Sequence, residues 1–102
     1  MSEAVLLTGA ENQFHELYAR FALSSFARAD QFDRLINDAL RQLSDFPSSA
    51  PEFIHPFRRL ALPRFFLAVY YVIEGRRVFV HALLDSRLPQ SAVRRHLDLP
   101  PD

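Results

Sequence analysis

Apolar positions recur at helical spacing twice in the first half of the chain, and the pattern then changes to short, dense apolar runs. Phe14, Leu17, Tyr18, Phe21 and Ala22 share one helical face. Phe32, Leu35, Ile36, Ala39, Leu40 and Leu43 share another and follow the 3.6-residue period closely. A short apolar run, Ala4 to Leu7, precedes the first of these and predicts a strand. Thr8-Gly9-Ala10-Glu11 matches a capping box, with the Thr8 hydroxyl facing the Glu11 amide. The first helix is expected to end near Ala27 to Ala29. Asp30 and Asp33 predict the start of the second, because carboxylates favour a helix N-terminus, and Pro47 predicts its stop. The short link between the two implies an antiparallel hairpin.

Phe46 to Pro56 holds three prolines and Ser48-Ser49 and has no period, so it predicts a loop. Phe57 to Leu62 alternates weakly and predicts an outer strand broken by Pro63. Phe65 to Ile73 is nearly all apolar, aromatic and β-branched, which predicts a strand at the sheet centre. Glu74-Gly75 supplies a tight turn and Val78 to Leu84 the returning strand. Pro89 opens a last short helix through about Leu97, and Pro100-Pro101 follows it. The expected fold is therefore α+β: an N-terminal strand and an α-hairpin packed as a two-layer sandwich on a small antiparallel sheet, with a short C-terminal helix.

The length of 102 residues predicts one domain spanning 1–102. There is no cysteine, which excludes disulfides and thiolate metal sites. Met1-Ser2-Glu3 lacks a signal-peptide start and no apolar run is long enough for a membrane helix, so the expected location is the cytoplasm, with no membrane partner.

Charge changes the picture more than composition does. The net charge is zero, yet residues 1–52 carry four arginines against eight acids and residues 53–102 carry eight arginines against four acids. Such a basic half implies either an anionic partner or simple complementation between the halves. Every Lys/Arg position is arginine, which excludes lysine-base and Schiff-base chemistry. His15, His55, His81 and His96 are scattered without metal-ligand spacing, and His81 reads as a packing residue within a strand. With only Gly9 and Gly75 there is no phosphate loop, and no nucleophile elbow occurs. No metal or cofactor is expected. The remaining candidates are arginines: Arg58, Arg59 and Arg64 beside the early strands, Arg76 and Arg77 at the turn, Arg87 after the last strand, and Arg94 and Arg95 on the last helix. Asp85-Ser86-Arg87 lies just beyond a strand end, as a functional loop or as an ordinary ion pair.

Arg64-Phe65-Phe66, Val69 through Gly75, Val78, Val80, Ala82 through Asp85, Arg87 and Pro89, together with the order of elements, resemble the ParE/RelE superfamily of toxins from type II toxin–antitoxin systems. The similarity is to ParE-like plasmid-stabilisation proteins in particular. It implies a toxin held inactive by a cognate ParD/RelB-like antitoxin, whose disordered C-terminal segment folds on the toxin as a hetero-oligomer. ParE-type members inhibit DNA gyrase by binding, and RelE-type members cleave mRNA in the ribosome. Arg87 matches the arginine that the nucleases use after their last strand. Their central-strand arginine falls at Leu67 here and their terminal tyrosine at Val93, and the common Tyr-Arg pair is Tyr71-Val72. Arginine alone is a poor proton carrier, so binding to gyrase is the expected mode and endoribonuclease activity or an inert relative the alternatives. The target surface is expected at Arg87, Arg94, Arg95, Arg76 and Arg77, and the antitoxin surface at Phe21, Leu40, Tyr70, Arg58 and Arg59.

Overall fold

The computed structural model describes residues 2–102. Its elements are β1 (Glu3–Leu6), α1 (Thr8–Ser24), α2 (Phe26–Asp45), β2 (Arg58–Leu62), β3 (Leu67–Glu74), β4 (Arg77–Asp85) and α3 (Gln90–His96). The expected β-α-α-β-β-β-α order holds, and the fold is an α+β sandwich. The sheet order is β1-β4-β3-β2. One correction concerns its sense. β2, β3 and β4 are antiparallel, but β1 runs parallel to β4, so the sheet is mixed. The α1–α2 hairpin is the crossover that turns the chain round, and it sits over the face it must cover.

Local chemistry explains the shifted boundaries. Leu7 still donates its N–H to the Val80 carbonyl at 2.9 Å, and Thr8 is already helical. The predicted capping box therefore does not form; Leu7 is the N-cap and offers no side-chain bond. The hairpin turns at Ser25, whose φ of −167° is extended and whose hydroxyl accepts from the Arg28 N–H. A one-residue link was masked in the sequence because alanines continue the helical pattern on both sides of it. Asp30 and Asp33 thus lie inside α2 rather than at its start. Ser25→Ala is expected to cost about 1 kcal/mol, read as a lower urea midpoint with an unchanged m-value.

The strand expected from Phe65 begins at Leu67 instead. Pro63 to Phe65 forms a 3₁₀ turn, and Phe66 takes a left-handed conformation at φ 54°. β4 carries one extra residue opposite Tyr70/Tyr71, a bulge at His81 that bends the strand. Gly75, at φ 61°, makes the predicted turn without Cβ strain.

Alternation splits the sheet into two apolar faces. Leu67, Val69, Tyr71, Val78, Val80 and Leu83 meet Phe32, Ile36, Ala39 and Leu43 of α2. Phe32 stacks on Phe14 and lies against Phe21 and Phe65. The opposite face holds Ala68, Tyr70, Val72, Ala82 and Leu84, covered by Phe57 and by Val93 and Leu97 from α3 and the turn after it. The fully buried Tyr71 donates its hydroxyl to the Pro47 carbonyl at 2.7 Å, tying the sheet to the loop after α2. Tyr71→Phe is expected to lose about 1 kcal/mol by denaturant titration, because that carbonyl loses its partner.

Candidate functional site

β4 ends at Asp85, still paired with Leu67 of β3, and the chain there turns tightly. The Asp85 carboxylate accepts from the Arg87 backbone N–H at 2.8 Å, from Arg87 Nε at 3.0 Å and, through Oδ2, from an Arg87 terminal nitrogen at 2.9 Å. This is a two-pronged pairing that the planar guanidinium suits. The same guanidinium lies 4.8 Å from the centre of the Phe66 ring. Arg87 and Asp85 are solvent-facing, with side chains 68% and 43% exposed. Arg87 holds the Asp85 carboxyl down to about 2, and Asp85 raises the Arg87 guanidinium in turn. A depressed carboxyl stabilises the turn above its ordinary value of 3.8, and that stabilisation is lost as pH falls through about 2. Titration of the Asp85 carboxyl carbon by NMR is expected to give a midpoint near 2 in the wild type and a rise toward 3.8 in Arg87→Ala. A wild-type midpoint already at the ordinary value would remove the clamp.

This turn forms one wall of a cleft of about 530 Å³. Gln13, Leu17, Arg20 and Phe21 of α1 form the facing wall, Leu67 and Leu83 the floor, and His96 and Phe66 the ends of the rim. Phe66 is 55% exposed. Arg28 lies over both the Phe21 and Phe65 rings, 5.2 and 4.8 Å from their centres. The cleft thus combines apolar walls with guanidinium groups at its mouth.

The structure separates the arginines that the sequence grouped. Arg76 and Arg77 sit at the opposite end of the β3–β4 hairpin from Arg87, roughly 25 Å away along β4 at the rise of a strand. They border a different depression with Arg41, Glu3 and Asp45. Arg94 is not free: its side chain is 14% exposed, donates to the Pro100 carbonyl at 2.7 Å and lies 3.7 Å from Asp102. Arg95 is exposed on the same helix.

The expected antitoxin residues divide similarly. Phe21 and Leu40 are partly buried at the edges of the helical layer. Arg58 donates to the Ala50 carbonyl at 2.7 Å and faces Glu52 at 3.7 Å. Arg59 reaches across the sheet, donating to the Tyr70 hydroxyl at 3.0 Å and to the Ser86 carbonyl at 3.2 Å. Tyr70 is 2% exposed, so it belongs to the core beneath Phe53 and α3 and not to a presented surface. Packing decided this, because an outward and an inward tyrosine look alike in an all-apolar strand.

His81 behaves as the sequence suggested. It is half-buried, its ring meets Phe57 edge-on at 5.0 Å, and burial lowers its affinity for a proton. Four polar cleft residues were missed: Gln13, Glu16, Arg20 and His96. No local signal marks them; they meet only because α1 crosses the end of β4 and α3 folds back. Among the described residues there is no group of three or more His, Asp or Glu side chains placed to hold a metal. Among the described residues no helix is long and apolar enough to cross a membrane.

No protein-family model matches the sequence, and no curated protein matches it either. The backbone is more informative. It is similar to a chain of the chromosomal ParDE TA system from P. aeruginosa, with a TM-score of 0.58 and 12% identity. The two chains share a fold. The likeness covers 81% of this chain and 94% of that one, so it takes in the architecture and not a shared fragment. At this identity it speaks for the fold alone, and the cleft chemistry stands on its own residues.

Proposed function

We propose that this chain is the toxin of a type II toxin–antitoxin module, neutralised by an antitoxin and acting in the cytoplasm by binding DNA gyrase. The single observation that carries the reading is the shared fold with a chain of the ParDE TA system. The Asp85–Arg87 turn supports it, since it presents a charged side chain from a rigid strand end. Exposed Arg95 extends the basic surface, and Arg94 shapes it by pinning the tail. Induction in a bacterial host is expected to arrest growth, and purified protein to inhibit gyrase supercoiling. Growth arrest with supercoiling at the control rate would reject gyrase as the target; unimpaired growth would leave an inert relative that only binds an antitoxin.

A second reading, ribosome-dependent mRNA cleavage, is favoured by one specific finding. His96 lines the same cleft as Arg87, which supplies a titratable group beside a guanidinium where the sequence alone offered none. Arg87 would hold the phosphate and His96 would move a proton at the 2′-hydroxyl or the leaving oxygen. Intact mRNA in a translating extract containing the protein would reject it.

A further inference from the structure

We propose that one side of α3, with the chain that folds back after it, holds a binding site for a small amphipathic carboxylate, an anionic head on an apolar body. The site is a cavity of about 420 Å³ and shares no residue with the cleft beside Arg87. A volume of this order is what small-molecule sites have. Ser91, Arg94 and Arg95 line it from the helix, because side chains three and four positions apart share one helical face. After the helix Asp98 takes a left-handed φ of 54°, and the Leu99 N–H donates back to the Arg94 carbonyl at 2.8 Å. That reversal lays Leu99, Pro101 and Asp102 along the opposite wall.

The chemistry of the occupant follows from an under-used guanidinium. Arg94 is mostly buried, yet among the described residues its side chain makes one hydrogen bond, from one terminal nitrogen to the Pro100 carbonyl at 2.7 Å. Its Nε is buried without a partner. Its other terminal nitrogen stands 3.7 Å from Asp102 Oδ1, beyond hydrogen-bond reach. In Arg87 the corresponding two nitrogens are both filled, by the Asp85 carboxylate at 3.0 and 2.9 Å. A buried charge with spare donors is costly until an anion meets it, and the planar fork suits a carboxylate. Asp102 marks where that anion sits. Its side chain is 90% exposed and reaches the guanidinium only at long range, so it is a weak occupant that a free carboxylate can replace. Arg95 lines the same cavity and has no ion-pair partner among the described residues, so two guanidinium groups face one carboxylate. The net charge thus favours an added anion, and Leu99 and Pro101 supply the wall on which an apolar body rests.

The test uses the full chain and three probes: 3-phenylpropionate, its neutral counterpart 3-phenylpropanol, and acetate. Binding is read by NMR from the Arg94 Nε–H resonance and the backbone amides of residues 90–102. Phenylpropionate is expected to bind with a Kd of about 1 mM. The alcohol and acetate should each bind about tenfold more weakly, one for want of a charge and the other for want of an apolar body. Asp102→Asn removes the competing carboxylate from an exposed position, so it should tighten phenylpropionate binding about threefold at an unchanged urea midpoint. Arg95→Gln, also at an exposed position, should weaken it by about the same factor. Equal binding of the alcohol would leave only an apolar surface, and equal binding of acetate an adventitious ion only. Either result overturns the proposal. So does unchanged or weaker binding to Asp102→Asn, a shift pattern confined to residues outside 90–102, or no binding up to about 10 mM. None of these readouts involves growth arrest or gyrase, so the site and the toxin reading are tested apart.

Discussion

Phe32→Ala is expected to unfold most of the protein at room temperature in mild urea, with a loss of about 3–5 kcal/mol. Phe32 is wholly buried. Its ring centre lies 5.3 Å from that of Phe14, 5.1 Å from Phe21 and 5.7 Å from Phe65. It therefore joins α1, α2 and the turn before β3 in one aromatic cluster. Removing it takes away the transfer free energy of a large side chain and leaves a void that stacked rings fill poorly. A domain of this size holds a total of only about 5–15 kcal/mol, so the loss consumes a large share. Leu23→Ser provides the contrast. Leu23 is 90% exposed, and its replacement is expected to move the urea midpoint by less than about 0.5 kcal/mol in free energy. A Phe32→Ala midpoint within that small range would show that the aromatic cluster does not hold the layers together.

Arg87→Ala is expected to abolish growth arrest, with colony counts on inducer returning to those of an empty vector. Arg87 is exposed, so its removal leaves the core intact and folding is checked by an unchanged urea midpoint. Its guanidinium sits on the Phe66 ring at the rim of the cleft, held by Asp85 and open to solvent. Asp85→Ala separates charge from geometry. It frees the guanidinium from its carboxylate but also unlocks the turn, so a partial loss of arrest is expected, smaller than that of Arg87→Ala. Full arrest by a stable, normally expressed Arg87→Ala protein would remove Arg87 from the target surface.

Several elements were legible because their signals are local. The α2 stripe announces itself at every third or fourth position, and the dense run after Pro63 has nowhere to go but the sheet centre. The turn at Gly75 is equally local, since only a residue tolerant of positive φ closes it so tightly. The α1–α2 boundary was hidden because Ala22, Ala27 and Ala29 suit a helix on either side of the break, and Ser25 reveals itself as a cap only through its extended backbone. The capping box at Thr8 failed for a related reason: the preceding strand keeps Leu7 bonded to β4, so the helix starts one residue earlier than the motif requires.

The site was less readable. The sequence pointed to Arg87 and to its pairing with Asp85, two residues apart. It placed Arg76, Arg77 and Arg94 on one surface with Arg87, yet the hairpin carries the first two to its far end and the tail immobilises the third.

By itself the amino-acid sequence determined the order of elements, the apolar faces of the two long helices and the asymmetry of charge, because these follow from side-chain periodicity and turn chemistry within a few neighbouring residues. Only the tertiary structure decided that β1 runs parallel to β4, that Tyr70 is internal, and that Gln13, Arg20, Arg87 and His96 border one cleft. Those outcomes depend on which distant segments pack together. Burial of both faces of the sheet fixes that packing, and no local pattern encodes it.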